Sequence, residues 1–248
     1  MVAWFRNLPL FVVLVFMAGA AMLVPAAAGM ALGEYREGRL FFYTALLVCL
    51  GASLVGIAVQ AQPRPATERT HLFAMLAAYL VLPVILAIPM SQAVGNTRFL
   101  NVYFDMVSAL TTTGAVVFDP ERFGMAIHLW RATVGWLGGL LIWVSAMAIL
   151  APLNLGGYEV TSEAHLAGRV ASSSQQMRAA RPSQRLRRAA RRLTPVYAGL
   201  TVILALALTI AGEEPIVAVM HAMSTLSTSG IRRSAVSRGG PAALRRKC

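Results

Sequence analysis

Apolar residues in this chain gather into four long runs and one shorter one, with polar and charged residues between them. The long runs cover about 8–32, 40–60, 71–93 and 125–151, and the shorter one about 196–212. A helix rises 1.5 Å per residue, so about 20 residues cross a hydrocarbon layer of roughly 30 Å. Each long run is predicted to be a transmembrane helix, and the fifth is short but adequate. Pro25, Pro83 and Pro89 fall inside these runs. Membrane helices tolerate such residues where neighbours satisfy the freed carbonyls. The first run has a second reading as a cleaved signal, with Arg6 as its basic region and Ala26-Ala27-Ala28 as its small-residue site. The apolar run continues past Ala28 and more spans follow at once, which favours the membrane helix.

Two further apolar stretches are too short to cross. Residues 99–111 and about 214–226 each give about thirteen helical positions, or roughly 20 Å. Pro215 suits the first turn of the second, where a missing N–H does no harm. Each stretch follows a full span and closes on Thr-x-Gly: Ser108-Ala-Leu-Thr-Thr-Thr-Gly-Ala115 and Ser224-Thr-Leu-Ser-Thr-Ser-Gly-Ile231. Span, short helix and Thr-x-Gly loop is the layout of a re-entrant pore hairpin, and it occurs twice. The glycine permits a turn with φ above zero. Carbonyls of Thr112, Thr113 and Gly114, and of Thr228, Ser229 and Gly230, can then replace the water shell of a dehydrated potassium ion. The partial negative charge at each helix C-terminus points at the same place. One Thr-x-Gly alone reads more simply as a helix C-cap. Two copies at equivalent places carry the pore reading.

Composition agrees with a membrane protein. Of 248 residues, 57% are hydrophobic and 13% charged, and mean hydropathy is +0.65, more than a soluble domain can hide. The net charge of +12 invites a nucleic-acid partner. However, eight of the 22 basic residues lie in 152–194 and six in 232–248, outside the spans and without interleaved aromatics. No nucleic acid is expected; a basic loop between membrane helices obeys the positive-inside bias. That bias places the N-terminus in the cytoplasm, 94–124 outside and 152–195 inside. The segment 181–192 has the pattern of a basic helix ahead of Thr194-Pro195, suited to anionic headgroups. Cys49 and Cys248 suggest neither a disulfide framework nor a metal site.

With these elements in place, the chain resembles the TrkH-type potassium uptake proteins of the Trk/Ktr/HKT superfamily. The resemblance rests on 108–115, Leu129-Trp-Arg131, Trp136-Leu-Gly-Gly139 and Ala148-Ile-Leu-Ala-Pro152 for one repeat. Leu193-Thr-Pro-Val-Tyr197 and His221-Ala-Met-Ser-Thr-Leu-Ser-Thr-Ser-Gly230 carry it for a second. It covers about 70–231, with 1–60 matching only as two extra leading helices. It implies four span–pore-helix–span repeats around one pore, a homodimer, a cytoplasmic nucleotide-binding regulatory subunit and a bacterial cytoplasmic membrane. The filter glycines map onto Gly114 and Gly230. The organisation expected is two leading helices (1–62), a first repeat (70–152), a basic cytoplasmic loop (153–194), an incomplete second repeat (195–231) and an unrelated hydrophilic tail (232–248). The tail stands where an exit helix is expected, which suggests a truncated or frameshifted product.

The remaining candidates have plainer alternatives. Asp105, ionisable within the first pore helix, is a functional suspect at a pore mouth, or it hydrogen-bonds locally or pairs with Arg98. Asp119 and Glu121, just after the first loop, are placed to concentrate cations at that mouth, or are ordinary surface charges. Arg131 is read as snorkelling or capping a carboxylate, Gly135, Gly138 and Gly139 as permitting close packing, and His128 as interfacial. The expected fold is an all-α polytopic membrane protein of about five transmembrane helices and two re-entrant pore helices. The expected function is potassium uptake through backbone carbonyls, with membrane lipids as surroundings and no cofactor. No nucleophile–base pair or metal cluster points to an enzyme. The rival reading is a non-transporting scaffold or assembly partner whose basic loop binds a cytoplasmic protein.

Overall fold

The computed structural model describes residues 10–60, 68–115, 117–120, 123–147 and 182–230. Among the described residues every regular element is helical: α1 (Leu10–Ala21), α2 (Leu23–Ala31), α3 (Tyr35–Gln60), α4 (Glu68–Val94), α5 (Phe99–Leu110), α6 (Met125–Ser145), α7 (Pro182–Ile210) and α8 (Pro215–Ser227). Among them five stretches are long and apolar enough to cross a membrane: Leu10–Ala31, Tyr35–Val59, Met75–Val94, Met125–Ser145 and Arg188–Ile210. The short apolar helices α5 and α8 stand between or after them, as the hydropathy pattern requires.

The prolines of the first and third spans act differently. Pro25 cannot donate to Ala21, and its ring crowds that carbonyl, so the first span splits into α1 and α2 at Met22. Met22 keeps helical dihedrals and its N–H lies 3.2 Å from both the Ala18 and Gly19 carbonyls, so the axis continues across the break. Pro83 and Pro89 instead stay inside a continuous α4. Side chains of other helices donate to carbonyls near them: Tyr103 Oη to Leu80 at 3.0 Å and Trp130 Nε1 to Leu86 at 3.2 Å. Each acceptor lies one residue past a carbonyl, of Tyr79 or Ile85, that a proline leaves without its helical donor.

The central element is α6, with 78% of its span window buried against 11% for that of α7. It touches α2, α5, α7 and α8, and α1 packs on α3 and α4. Trp130 and Phe41, both 0% exposed, meet at 5.6 Å between ring centroids in a core that includes Met22, Leu86, Met90 and Met106. Cys49 packs in the α1–α3 crossing, where a Cβ on Gly19 would stand 2.8 Å from its Sγ. Small residues allow helices to approach closely in this way.

One boundary differs from the sequence reading. Residues 182–194, read as the end of a basic loop with a separate basic helix over 181–192, are indeed helical but form the first turns of α7, which runs unbroken through Pro195. The carbonyl that Pro195 deprives of a partner is that of Arg191, an exposed residue near the end of the apolar span. Water can satisfy it there, so the helix has no need to stop. The expectations for 1–9, for 148–181, for Glu121 and for the tail 232–248 lie outside the described residues.

Candidate functional site

The two Thr-x-Gly segments fold alike. In the first, the Thr113 N–H donates to the Ser108 carbonyl at 2.8 Å and the Thr112 N–H to Ala109 at 3.0 Å. In the second, Ser229 donates to Ser224 at 3.1 Å and Thr228 to Thr225 at 3.2 Å. This pair of bonds, reaching back five and three residues, is the Schellman closure of a helix C-terminus. Its left-handed position, usually glycine, is here threonine: Thr112 has φ 57° and Thr228 φ 55°. A β-branched residue there is strained by about 1–3 kcal/mol. Two residues on, Gly114 (φ 69°) and Gly230 (φ 64°) are again left-handed, with Thr113 and Ser229 between them not so.

The helix-cap and return-loop readings therefore describe the same residues. Alternating handedness turns successive peptide dipoles to one side, and the hydrogen bonds show which side. The amides of Thr111, Thr112, Thr113, Thr228 and Ser229 all donate back into their own helices. Ala115 N–H adds a bond to Ser108 Oγ at 2.8 Å. Among the described residues no donor reaches the carbonyls of Thr112, Thr113, Gly114, Thr228 or Ser229. The exposed polarity of each loop is negative, which suits a cation.

The loops also meet. A Cβ on Gly114 would collide with the Ser229 carbonyl oxygen and reach within 3.8 Å of Gly230 Cα. Two neighbouring glycines of α6 bring this about. A Cβ on Gly138 would strike the Leu110 carbonyl at the end of α5, and one on Gly139 would stand 3.0 Å from Ser227 at the end of α8. Both helix ends rest against a glycine of α6, and Tyr197 Oη of α7 stands beside the second, 2.8 Å from where a Gly139 Cβ would lie. Hydroxyls complete the second loop, with Ser227 Oγ donating to Ser229 Oγ at 2.9 Å.

Asp105 is 1% exposed and is gripped by Arg131, whose Nε donates to Oδ2 at 2.9 Å and Nη2 to Oδ1 at 2.8 Å. Its partner is thus not Arg98, which is exposed at the start of α5, and burial closes it off from any mouth. Arg131 Nη2 also lies 3.5 Å from the Ala115 carbonyl, just past Gly114. The pair ties the middle of α5 and the far side of its loop to α6. Asp119 is exposed after that loop. His128, in the first turn of α6, is 3% exposed, its Nε2 2.9 Å from the Pro120 carbonyl. In the second hairpin Glu213 turns its carboxylate to His221 Nδ1, at 2.9 and 3.0 Å.

Two features escaped the sequence reading. Glu34, in the turn between α2 and α3, accepts bonds from the Met125 and Ala126 amides at 2.7 and 2.9 Å. It caps the N-terminus of α6 from across the fold, and Gly124 leaves room, since a Cβ there would stand 2.7 Å from the carboxylate. Nothing local could reveal a partner 91 residues away. The anchoring serines 108 and 224 did carry a signal, because they open both copies of the motif.

Among the described residues, an all-helical bundle with five spans and two short helices, each short helix ending in a loop against a shared central helix, defines a polytopic membrane protein. Curated relatives include the Trk system potassium uptake protein TrkI of Halomonas elongata, 30% identical over 167 residues, or 66% of this chain and 30% of that one. The TrkH proteins of Vibrio parahaemolyticus (32% over 145 residues; 58% of this chain, 28% of that one) and Escherichia coli K12 (28% over 221; 88% and 44%) are also similar. By these matches the chain is a relative of the TrkH-type potassium uptake proteins. The crystal structure of the potassium transporter TrkH from Vibrio parahaemolyticus shares the fold, with TM-score 0.66 and 24% identity over 89% of this chain and 42% of that one. No family model matches. The chain spans less than half the length of the curated relatives it matches, from 28 to 44% in these three.

Proposed function

We propose that this chain supplies two main-chain carbonyl loops, Thr112–Gly114 and Thr228–Gly230, to a potassium-conducting pathway in a bacterial cytoplasmic membrane. The observation that carries the reading is the contact between two loops with the same bonds and the same alternation of φ, their carbonyls without donors among the described residues. The relatives are potassium uptake proteins by name, which supports potassium as the substrate. A dehydrated potassium ion needs oxygens around it, and two loops border it on one side. The pathway is therefore complete only with further loops, from a second copy of the chain or from companion segments. The N-terminus faces the cytoplasm, and a nucleotide-binding regulatory subunit docks from that side, near the basic start of α7.

The test is potassium-limited growth of a bacterial strain stripped of its own potassium uptake systems. Expression of the chain restores growth and rubidium uptake, and a Gly114→Ser, Gly230→Ser double variant does not. A chain inserted at normal levels that moves no rubidium would overturn conduction by this chain and leave the scaffold reading. That second reading is favoured by the count of two loops among the described residues. Pull-down of a cytoplasmic protein on the 152–195 segment tests it.

A further inference from the structure

Between α1, α4, α6 and α7 lies a cavity of about 230 Å³ whose lining includes none of the residues Thr112–Gly114 or Thr228–Gly230. Among the described residues Thr194 is the one polar side chain in its lining; the rest are aliphatic residues and methionine. Water needs two to four polar partners, and apolar cavities of roughly 150 Å³ stay dry and take apolar guests. Leu86 and Val134, 1% and 0% exposed, form the inner wall, while Met17 is 43% exposed, so the space opens outward through α1. Leu110 also lines it. An occupant therefore touches the base of the first return loop.

Charge at one end narrows the choice of occupant. Leu186, Ala190 and Thr194 line the cavity as one stripe of α7. On the same turns Arg188, Arg191 and Arg192 are exposed, and none has an acidic partner among the described residues. The apolar span of α7 begins at Arg188, so these guanidinium groups stand at the membrane boundary beside an apolar slot. Arginine forks bind phosphate oxygens, and basic clusters at that boundary recruit anionic headgroups.

We propose that the cavity holds an acyl chain of an anionic phospholipid whose headgroup lies against Arg188, Arg191 and Arg192. The lipid wedges α1 and α7 apart and supports the end of α5 from below. This does not depend on whether the loops conduct.

The experiment reconstitutes the full chain in vesicles of equal phosphatidylglycerol and phosphatidylcholine, re-extracts it in mild detergent, and measures retained lipid by native mass spectrometry. The wild type keeps one phosphatidylglycerol per chain in preference to phosphatidylcholine. Ala190→Phe fills the slot from α7 and lowers retention by about fivefold or more, with helix content and melting kept. Leu141→Trp does so from α6, should the first variant fold poorly. Arg188→Gln, Arg191→Gln and Arg192→Gln together abolish the preference for phosphatidylglycerol. Equal retention of the two lipids by the wild type, undiminished retention in a folded filling variant, or a crosslink placing another segment of the chain in the slot would each overturn the proposal.

Discussion

Arg131→Met removes the guanidinium that faces Asp105 while leaving a long apolar arm in its place. Two charge-assisted bonds are lost, at 2.9 and 2.8 Å, each worth about 1.5–3 kcal/mol. Asp105 is left buried at 1% exposure with no cation beside it. Stranding one member of a buried pair costs about 3–5 kcal/mol. Arg131→Met and Asp105→Leu are each expected to destabilise the fold by that amount, roughly a hundredfold to a few thousandfold in the unfolding equilibrium. The double change Asp105→Leu, Arg131→Met puts apolar groups on both sides and should come within about 2 kcal/mol of wild type. The assay is equilibrium unfolding in mixed detergent and dodecyl sulfate micelles, followed by tryptophan fluorescence; Trp130, 0% exposed, adjoins the pair. Amide exchange gives a second readout. Arg131 also reaches Ala115, so Thr113 and Ala115 should exchange faster in Arg131→Met while Ser229 does not. Single variants costing less than about 1 kcal/mol, or a double variant equal to their sum, would refute a coupled buried pair.

The two loop glycines should respond unequally to alanine. Gly114→Ala combines a left-handed residue, at about 1–2 kcal/mol, with overpacking against Ser229, at about 1–3 kcal/mol; Gly230→Ala, which meets nothing within 4 Å, bears only the first. Melting curves in detergent should rank them in that order, and equal shifts would count against the loop contact. Gly138→Ala should loosen the end of α5 and Gly139→Ala the end of α8, read as faster exchange at Thr113 in one and at Ser229 in the other. Glu34→Ala should cost about 1–2 kcal/mol as the loss of a cap, and Glu34→Gln less, with exchange rising at the Met125 and Ala126 amides; no change there would remove Glu34 from the α6 terminus.

How much of this was legible depends on whether the cause was local. The two short helices, expected at 99–111 and 214–226, are Phe99–Leu110 and Pro215–Ser227. Their limits come from Pro215, the length of each apolar run and the terminating motif, all written in adjacent residues. The left-handed threonines were not legible, because threonine propensity argues against them. Helix-end bonds and contact with α6 override it. The partner of Asp105 was missed because Arg98 is closer in sequence, while Arg131 arrives only when α5 packs on α6. The continuity of α7 was masked by Thr194-Pro195, which reads as a boundary wherever water does not sit at the freed carbonyl.

The arrangement of α6 explains why two loops from distant parts of the chain can cooperate. Successive helical residues are about 100° apart around the axis and 1.5 Å apart along it. Gly138 and Gly139 therefore face different neighbours at almost one height, so the ends of α5 and α8 resting on them lie at nearly the same depth. Seven residues earlier the same two faces recur. Arg131 takes Asp105 of α5, in line with Gly138, and Ala132 packs with Met220 of α8, in line with Gly139. Each short helix is thus held at two points on its own stripe of one buried helix. A shift of α6 along its axis carries both loops together and preserves their contact, whereas a twist about that axis separates Gly114 from Ser229. The contact between the loops lasts only while that rotation is fixed, and Glu34 at the helix start and Arg131 two turns within it are placed to fix it.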